Sequence, residues 1–243
     1  MDLVTDQNLK IQRYTWDIID TNTYLVLEEN KALVIDPVDS ADLFEAFNAV
    51  DQIDVILTHS HFDHICGLNK LRSIKHDVRV IATSECSVNI GSIYRNMSSA
   101  AEAFLTFYYQ NKGIEADISS MVARIGTFTC EPADMTFDEN MEFTWCNHSF
   151  ELIRCFGHSN DSLIALLDGK YLFSGDTLLN IPTTTRFIGG STAKFWDKDY
   201  PMLKGMSSSV EIVFPGHGEA GSISDMLSVN VMPERYRGKD SKN

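Results

Sequence analysis

"VILTHSHFDH", residues 55–64, decides how the chain is read. From Gln52 the sequence "QIDVILTHS" is rich in β-branched residues and reads as a buried strand that ends where the histidines begin. Positions 58–64 then hold His59, His61, His64 and Asp63, although the whole 243-residue chain has only seven histidines. Neutral imidazole is the commonest protein metal ligand. A strand that runs directly into a ligand loop fixes such ligands on a rigid element. The cluster therefore points to a metal site.

Three more stretches share this form, an apolar strand with a polar ligand at its end: "LIRCFGHS", "KYLFSGDT" and "IVFPGHG". They add His158, Asp176 and His217. His76 and His148 lie elsewhere and read as surface residues. A catalytic zinc ion takes three protein ligands and a water. The seven candidate donors exceed the need of one ion and suit two, provided that one carboxylate bridges.

The surrounding sequence alternates strands and helices, which is the pattern of an α/β protein. "TNTYLVLEE" and "KALVIDP" read as strands joined at "ENK", "ADLFEAFNAV" as a helix, "HICGLNKLRS" as a helix after the ligand loop, and "DVRVIAT" as a strand. Residues 84–126 differ. There Ile93, Met97, Phe104, Phe107 and Tyr108 recur near helical spacing, which predicts one or two helices. Strands return in "ADMTFDENMEFTWC", "SFELIRCFGHS" and "DSLIALLDGKYLFSGD", the last with an Asp-Gly hairpin signal. The tail "PERYRGKDSKN" is polar and predicted to fray.

Composition narrows the function. With 44% hydrophobic and 22% charged residues the chain is of globular type. Its net charge of −14 argues against a nucleic-acid partner, which needs clustered cations. Two divalent ions would return about four charges, all within one cleft. No apolar run of about 20 residues is present, and the start shows no secretory signal, so neither a membrane span nor export is expected. Cys66, Cys86, Cys130, Cys146 and Cys155 are odd in number and form no CxxC pair. They read as reduced thiols of a cytoplasmic protein.

The ordered series HxHxDH, a histidine after glycine, SGDT and PGHG resembles the metallo-β-lactamase superfamily of metallo-hydrolases, over about residues 15–220. The resemblance implies a four-layer αβ/βα sandwich forming a single domain over 1–243, with the helical stretch 84–126 as an insert and the metals at one edge between two sheets. It implies that His59, His61 and His158 bind one ion, that Asp63, His64 and His217 bind a second, and that Asp176 bridges them. Zinc is the expected metal, with iron or manganese as alternatives. Two ions about 3.5–4 Å apart would hold a bridging hydroxide as nucleophile, and Asp63 would also handle protons. The sequence departs from the family at "RCFGHSNDS", which lacks the usual proline before Gly157, and at Cys66, where a small residue is common. His64 favours the glyoxalase II-like, lactonase-like and nuclease-like branches. Only 26 residues follow His217, fewer than the helical C-terminal region of glyoxalase II proper.

The expected reaction is hydrolysis of a small ester, thioester or lactone. The alternatives are a mononuclear-iron sulfur dioxygenase, a phosphodiesterase, and a non-catalytic binding protein that keeps the site. Phe104, Phe107 and Tyr108 read either as a wall that selects the substrate or as core or a homodimer contact. Arg186, in the loop "TLLNIPTTTRFIGGSTAKFW", is placed to hold a carboxylate or phosphate, or else is a solvated cation.

Overall fold

The computed structural model describes residues 2–6, 9–75 and 77–231, so His76 and the polar tail lie outside it. The chain divides into two compact units, Met1–Asp138 and Glu139–Asn243.

The first unit is built on a seven-stranded sheet, β1 (Asp2–Asp6), β2 (Leu9–Thr15), β3 (Asn22–Glu28), β4 (Lys31–Ile35), β5 (Gln52–Ile56), β6 (Val78–Thr83) and β7 (Met135–Phe137), in that spatial order. β1 to β4 pair antiparallel and β4 to β7 parallel. Parallel neighbours need crossovers, and helices supply them: α1 (Ala41–Ala46), then α2 (Phe62–Ile65) with α3 (Leu68–Ile74), then α4 (Ser84–Asn89), α5 (Ala101–Lys112) and α6 (Ile118–Ile125). Strands of a covered parallel sheet are buried on both faces and lose the polar alternation. In β5 all of Ile53, Asp54, Val55 and Ile56 are buried, and the exception in kind, Asp54, pairs with Arg79 at 2.6 Å. Leu25, Val34, Phe47, Val55, Phe62 and Leu71 belong to one core cluster.

The ligand loop leaves this core at Leu57 and turns into α2, a single helical turn whose four residues are all buried. Its position is set by a close backbone approach. The Gly67 N–H donates to the Pro37 carbonyl at 2.8 Å, and a Cβ at Gly67 would lie 2.5 Å from the Val38 carbonyl oxygen.

The stretch 84–126 holds three α-helices where the spacing predicts one or two, and residues 90–97 turn instead of continuing α4. The cause is Asn96. Its buried side chain donates to the Phe128 carbonyl at 2.7 Å and accepts from the Ser98 N–H at 2.9 Å, a local alternative to helical bonding. Met97 follows at φ 63°. The Asn96 carbonyl also accepts the Phe62 N–H at 2.7 Å, so this stretch supports the first residue of α2.

The aromatic stripe of α5 splits. Phe104 and Tyr108 pack on the core, with the Phe104 ring 5.8 Å from that of Phe62, whereas Phe107 is 66% exposed. The stripe is therefore not uniformly core. α5 and α6 are fastened to the turn between β2 and β3. Tyr108 Oη and Lys112 Nζ donate to Asp20 at 2.9 and 2.8 Å, Tyr109 Oη donates to the Ile18 carbonyl, and Arg124 forms a two-pronged pair with Asp17 at 2.8 and 2.9 Å.

The second unit has a five-stranded sheet in the order β12-β11-β10-β9-β8, made of β8 (Asn140–Trp145), β9 (His148–Arg154), β10 (Leu163–Leu167), β11 (Tyr171–Gly175) and β12 (Ile212–Pro215). Only the β11–β12 pair is parallel. Asp168 and Gly169, at φ 52° and 68°, are the central residues of the turn that the Asp-Gly pair predicts, closed by the Lys170 N–H donating to the Leu167 carbonyl at 3.0 Å, within a three-residue loop between the paired Leu167 and Tyr171. His148 opens β9 and is partly exposed, with its Nδ1 2.6 Å from an Asp168 carboxylate oxygen. Between β11 and β12 run α7 (Thr192–Lys194), a π-helical turn (Phe195–Asp199) and α8 (Tyr200–Gly205); α9 (Ile223–Ser228) follows β12. Ile164, Leu172, Leu203, Val213 and Met226 share the core.

Replacing Gly67 by Ala would force backbone against backbone. Gly67→Ala should lower the unfolding free energy by about 1–3 kcal/mol, read as a shift in the urea midpoint at unchanged slope.

Candidate metal centre

In the first unit the donors are set by a chain of hydrogen bonds that begins outside the histidine motif. Asp36 follows β4 at φ 55° and is 1% exposed. Its Oδ1 accepts the Thr58 N–H at 2.7 Å, and its Oδ2 accepts the Thr58 hydroxyl at 2.6 Å. The same Oδ2 lies 2.8 Å from His64 Nδ1. A carboxylate can only accept there, so Nδ1 carries the proton and the lone pair of His64 is on Nε2. Thr58, with its hydroxyl proton given to Asp36, accepts from His59 Nδ1 at 3.1 Å, which leaves the His59 lone pair on Nε2. That nitrogen is 3.0 Å from His61 Nδ1. Two nitrogens on one tetrahedral zinc would be separated by about 3.3 Å.

Asp36, His59 and His64 form one group of close ligand atoms. Because the Asp36 oxygens already serve Thr58 and His64, its part is to orient the histidines. Asp63 offers Oδ2 at 3.5 Å from His64 Nε2, and the buried Thr21 hydroxyl donates to that oxygen at 3.1 Å. Cys66 Sγ accepts the Asp39 N–H at 3.3 Å and donates to the Asp63 carbonyl at 3.8 Å. Burial pushes its thiol far above the usual range, which disfavours the thiolate.

In the second unit the loop after β9 delivers His158. Asp199 accepts the Phe156 N–H at 3.0 Å and the Gly157 N–H at 2.6 Å. A Cβ at Gly157 would lie 2.7 Å from the Phe195 ring and 2.8 Å from Asp199 Oδ2. The buried carboxylate thus holds the turn where the family has proline. Burial pushes the Asp199 pKa up to about 6, against the lowering effect of its two N–H partners. His158 Nδ1 donates to the Thr184 carbonyl at 2.9 Å, which leaves its lone pair on Nε2. Asp176 follows Gly175, the last residue of β11, which sits at φ 48°. Its Oδ2 lies 3.5 Å from His158 Nε2 and 3.6 Å from His217 Nε2. One carboxylate oxygen therefore faces two imidazole donors.

Each unit thus gathers its share of the expected ligands: His59, His61, Asp63 and His64 in the first, and His158, Asp176 and His217 in the second. Six of these are buried and His217 is half-buried. Neutral imidazoles with carboxylates make a donor set that fits zinc, iron or manganese, and the residues could hold metal. Sequence reasoning missed Asp36, Thr21 and Asp199. For Asp36 a signal existed: "KALVIDP" also ends a strand on a carboxylate, and Ile35 pairs in register with Ile56 just before the ligand loop. Arg186 is exposed.

Asp36→Ala removes the acceptor that fixes the His64 and Thr58 geometry. Metal affinity should fall about 10–100-fold, measured by competition with a chromophoric chelator, while the far-ultraviolet circular dichroism stays unchanged. For Asp199 the raised pKa fixes the sign. Its contribution to stability is full below the unfolded value of 3.8 and is lost as pH rises through about 6. Across that window the wild type should lose stability relative to Asp199→Asn by on the order of 3 kcal/mol, read from urea midpoints at each pH.

Comparison with known proteins agrees with this geometry. The profile of the metallo-beta-lactamase superfamily matches residues 16–217. A hydroxyacylglutathione hydrolase of Francisella tularensis subsp. novicida is 29% identical over 161 residues, which cover 65% of this chain but only 47% of that protein. The crystal structure of BLEG-1 B3 metallo-beta-lactamase superposes with a TM-score of 0.71 at 22% identity, covering 90% of this chain and 97% of that one. That of TTHA1623 in a di-iron-bound form superposes with a TM-score of 0.66 at 20% identity, covering 90% and 98%. The match to the family spans both units and every ligand position, and the chain belongs to the metallo-beta-lactamase superfamily.

Proposed function

We propose that the chain is a dinuclear metal-dependent hydrolase of a small ester, thioester or lactone, acting as one domain. The observation that carries this reading is the Asp176 oxygen at 3.5 and 3.6 Å from two histidine nitrogens, because one oxygen offered between two ligands is what a bridge requires. In this proposal His59, His61 and His158 hold one ion, Asp63, His64 and His217 the other, and Asp176 both. The family match across 16–217 supports joining the two sets. The thioester end of the substrate range rests on the likeness to a hydroxyacylglutathione hydrolase. Zinc is the first choice of metal, and iron remains an alternative that the di-iron relative supports.

Two bound divalent ions would supply Lewis acidity, polarising the scissile carbonyl and lowering the pKa of a water toward 7. The protein's own residues prepare for this. Asp36 and the Thr184 carbonyl hold His64 and His158 with their Nε2 lone pairs presented. Thr21 holds one oxygen of Asp63, and in this proposal the Asp63 carboxylate takes a proton from the attacking water and passes it to the leaving group. Arg186, Phe104, Phe107 and Tyr108 are the proposed substrate contacts. The net charge of −14 speaks for a small molecule over nucleic acid as partner. Among the described residues no helix is long and apolar enough to cross a membrane, and none of the five cysteines is in a disulfide, which suits the cytoplasmic location proposed here.

Elemental analysis should find close to two metal equivalents per chain. A chelator should abolish hydrolysis, and zinc or manganese should restore it. Asp176→Ala should lower metal content and activity together while the fold persists. A stable single iron with oxygen uptake on a persulfide would replace the hydrolase by a dioxygenase.

A further inference from the structure

None of the seven candidate ligands lies in the helical stretch 84–126, yet that stretch reaches one of them, Asp63, from two directions. On the backbone side, the neighbouring Phe62 donates its N–H to the Asn96 carbonyl at 2.7 Å and sets its ring 5.8 Å from that of Phe104 on α5. On the side-chain side, Asp63 Oδ2 accepts the hydroxyl of Thr21, which closes the turn between β2 and β3. Four residues beyond Phe104, on the same face of α5, Tyr108 grips that turn through Asp20.

The Thr21 hydroxyl has little freedom of its own. A β-branched side chain is stiff at χ1, so its oxygen goes where the backbone takes it. That backbone is set by the Trp16 N–H on the Thr21 carbonyl at 2.8 Å, the Asp20 N–H on the Trp16 carbonyl at 3.0 Å, and Asp20 at φ 58°. The Thr21–Asp63 contact, at 3.1 Å, is already long for an O–H···O bond, whose usual range is about 2.5–3.0 Å. A drift of the turn by roughly half an ångström would break it. Ile18 and Ile19 are buried, but apolar burial is non-directional and does not fix the angle of a turn. Directional contacts to the turn come from α5 and α6. Asp20 accepts Tyr108 Oη and Lys112 Nζ, the Ile18 carbonyl accepts Tyr109 Oη, and Asp17 accepts two nitrogens of Arg124.

We propose that α5 and α6 position the ligand of one metal ion: through Asp17 and Asp20 they set the β2–β3 turn, and through Thr21 the carboxylate of Asp63. Asp17, Asp20 and Thr21 are positioning residues, each acting through the next group in the chain. This deepens the dinuclear reading and rests on it for the ion that Asp63 holds. The helical insert thereby gains a part in metal binding although it supplies no donor atom.

In the test, zinc bound to the full chain is titrated against a chromophoric chelator, and the equivalent that Asp63→Ala abolishes is the one followed. Thr21→Val keeps the shape and loses the hydroxyl. It should weaken that equivalent about tenfold and leave the other unchanged. Thr21→Ser should bind as wild type does. The clasp variant Asp17→Ala/Asp20→Gly should weaken the same equivalent about threefold, the scale of exposed ion pairs. Both its positions are exposed, and glycine accepts the φ of Asp20, so the fold persists. Added to Thr21→Val, the clasp changes should have no further effect, because the route through Thr21 is already cut. Losses shared by both equivalents, losses that multiply in the triple variant, or no loss at all overturn the proposal. If Thr21→Val does not fold, the clasp variant decides alone: a loss confined to the Asp63 equivalent upholds the proposal, and any other result overturns it. If the wild type takes up only one equivalent, the dinuclear reading fails by itself, and positioning is read from the Asp63 and His64 amide resonances. Shifts that the clasp changes cause in wild type but not in Thr21→Val uphold it. Shifts in both backgrounds, or in neither, overturn it.

Discussion

The Asp36 carboxylate is the constraint on which the histidine loop depends. It joins the ends of two neighbouring parallel strands, because its oxygens take both donors of Thr58 just beyond β5. It then fixes the proton on His64 Nδ1, and through Thr58 the proton on His59 Nδ1. A buried carboxylate is stable only when its lone pairs are engaged, and here each engagement is also an instruction to a ligand. The φ of 55° at Asp36 is a conformation that few residues other than glycine, Asn and Asp adopt readily.

The second unit solves the same problem differently. On His158 Nδ1 the acceptor is a backbone carbonyl where His64 Nδ1 has a carboxylate. The Thr184 carbonyl sets the tautomer, and Asp199 acts one step earlier, on the backbone that carries the histidine. Asp176 and His217 hang from the ends of the adjacent parallel strands β11 and β12, as Asp36 and Thr58 do from β4 and β5. In both units a parallel pair places two polar groups side by side at its carboxyl end.

What the sequence made legible follows from this. Ligands at strand ends are visible because a long apolar run stops on a histidine or aspartate, as at Leu57–His59 and Phe214–His217. The Asp168–Gly169 hairpin was visible because two successive left-handed residues leave few choices of side chain. Orienting groups were not, since their roles depend on pairings across the fold: Thr21 meets Asp63 over 42 positions and Asp199 meets Gly157 over 42. The stretch 90–97 defeated periodicity because one asparagine, Asn96, outcompetes helical hydrogen bonds. Phe107 keeps the spacing of Phe104 and Tyr108 but faces solvent, because spacing fixes direction around a helix and not how far the covering neighbour extends.

The clasp between α5, α6 and the β2–β3 turn has a kinetic consequence. Arg124 reaches Asp17 across 107 positions, and Tyr108 reaches Asp20 across 88. Closing such long loops carries an entropy cost that local pairings escape, so this clasp is made late in folding. Its ion pairs are also more than 40% exposed and gain little from water. The turn that carries Thr21 to Asp63 is consequently braced by some of the last contacts to form and the first to open. Amide hydrogens around Thr21 would exchange by a sub-global opening well below the free energy that unfolds the sheet.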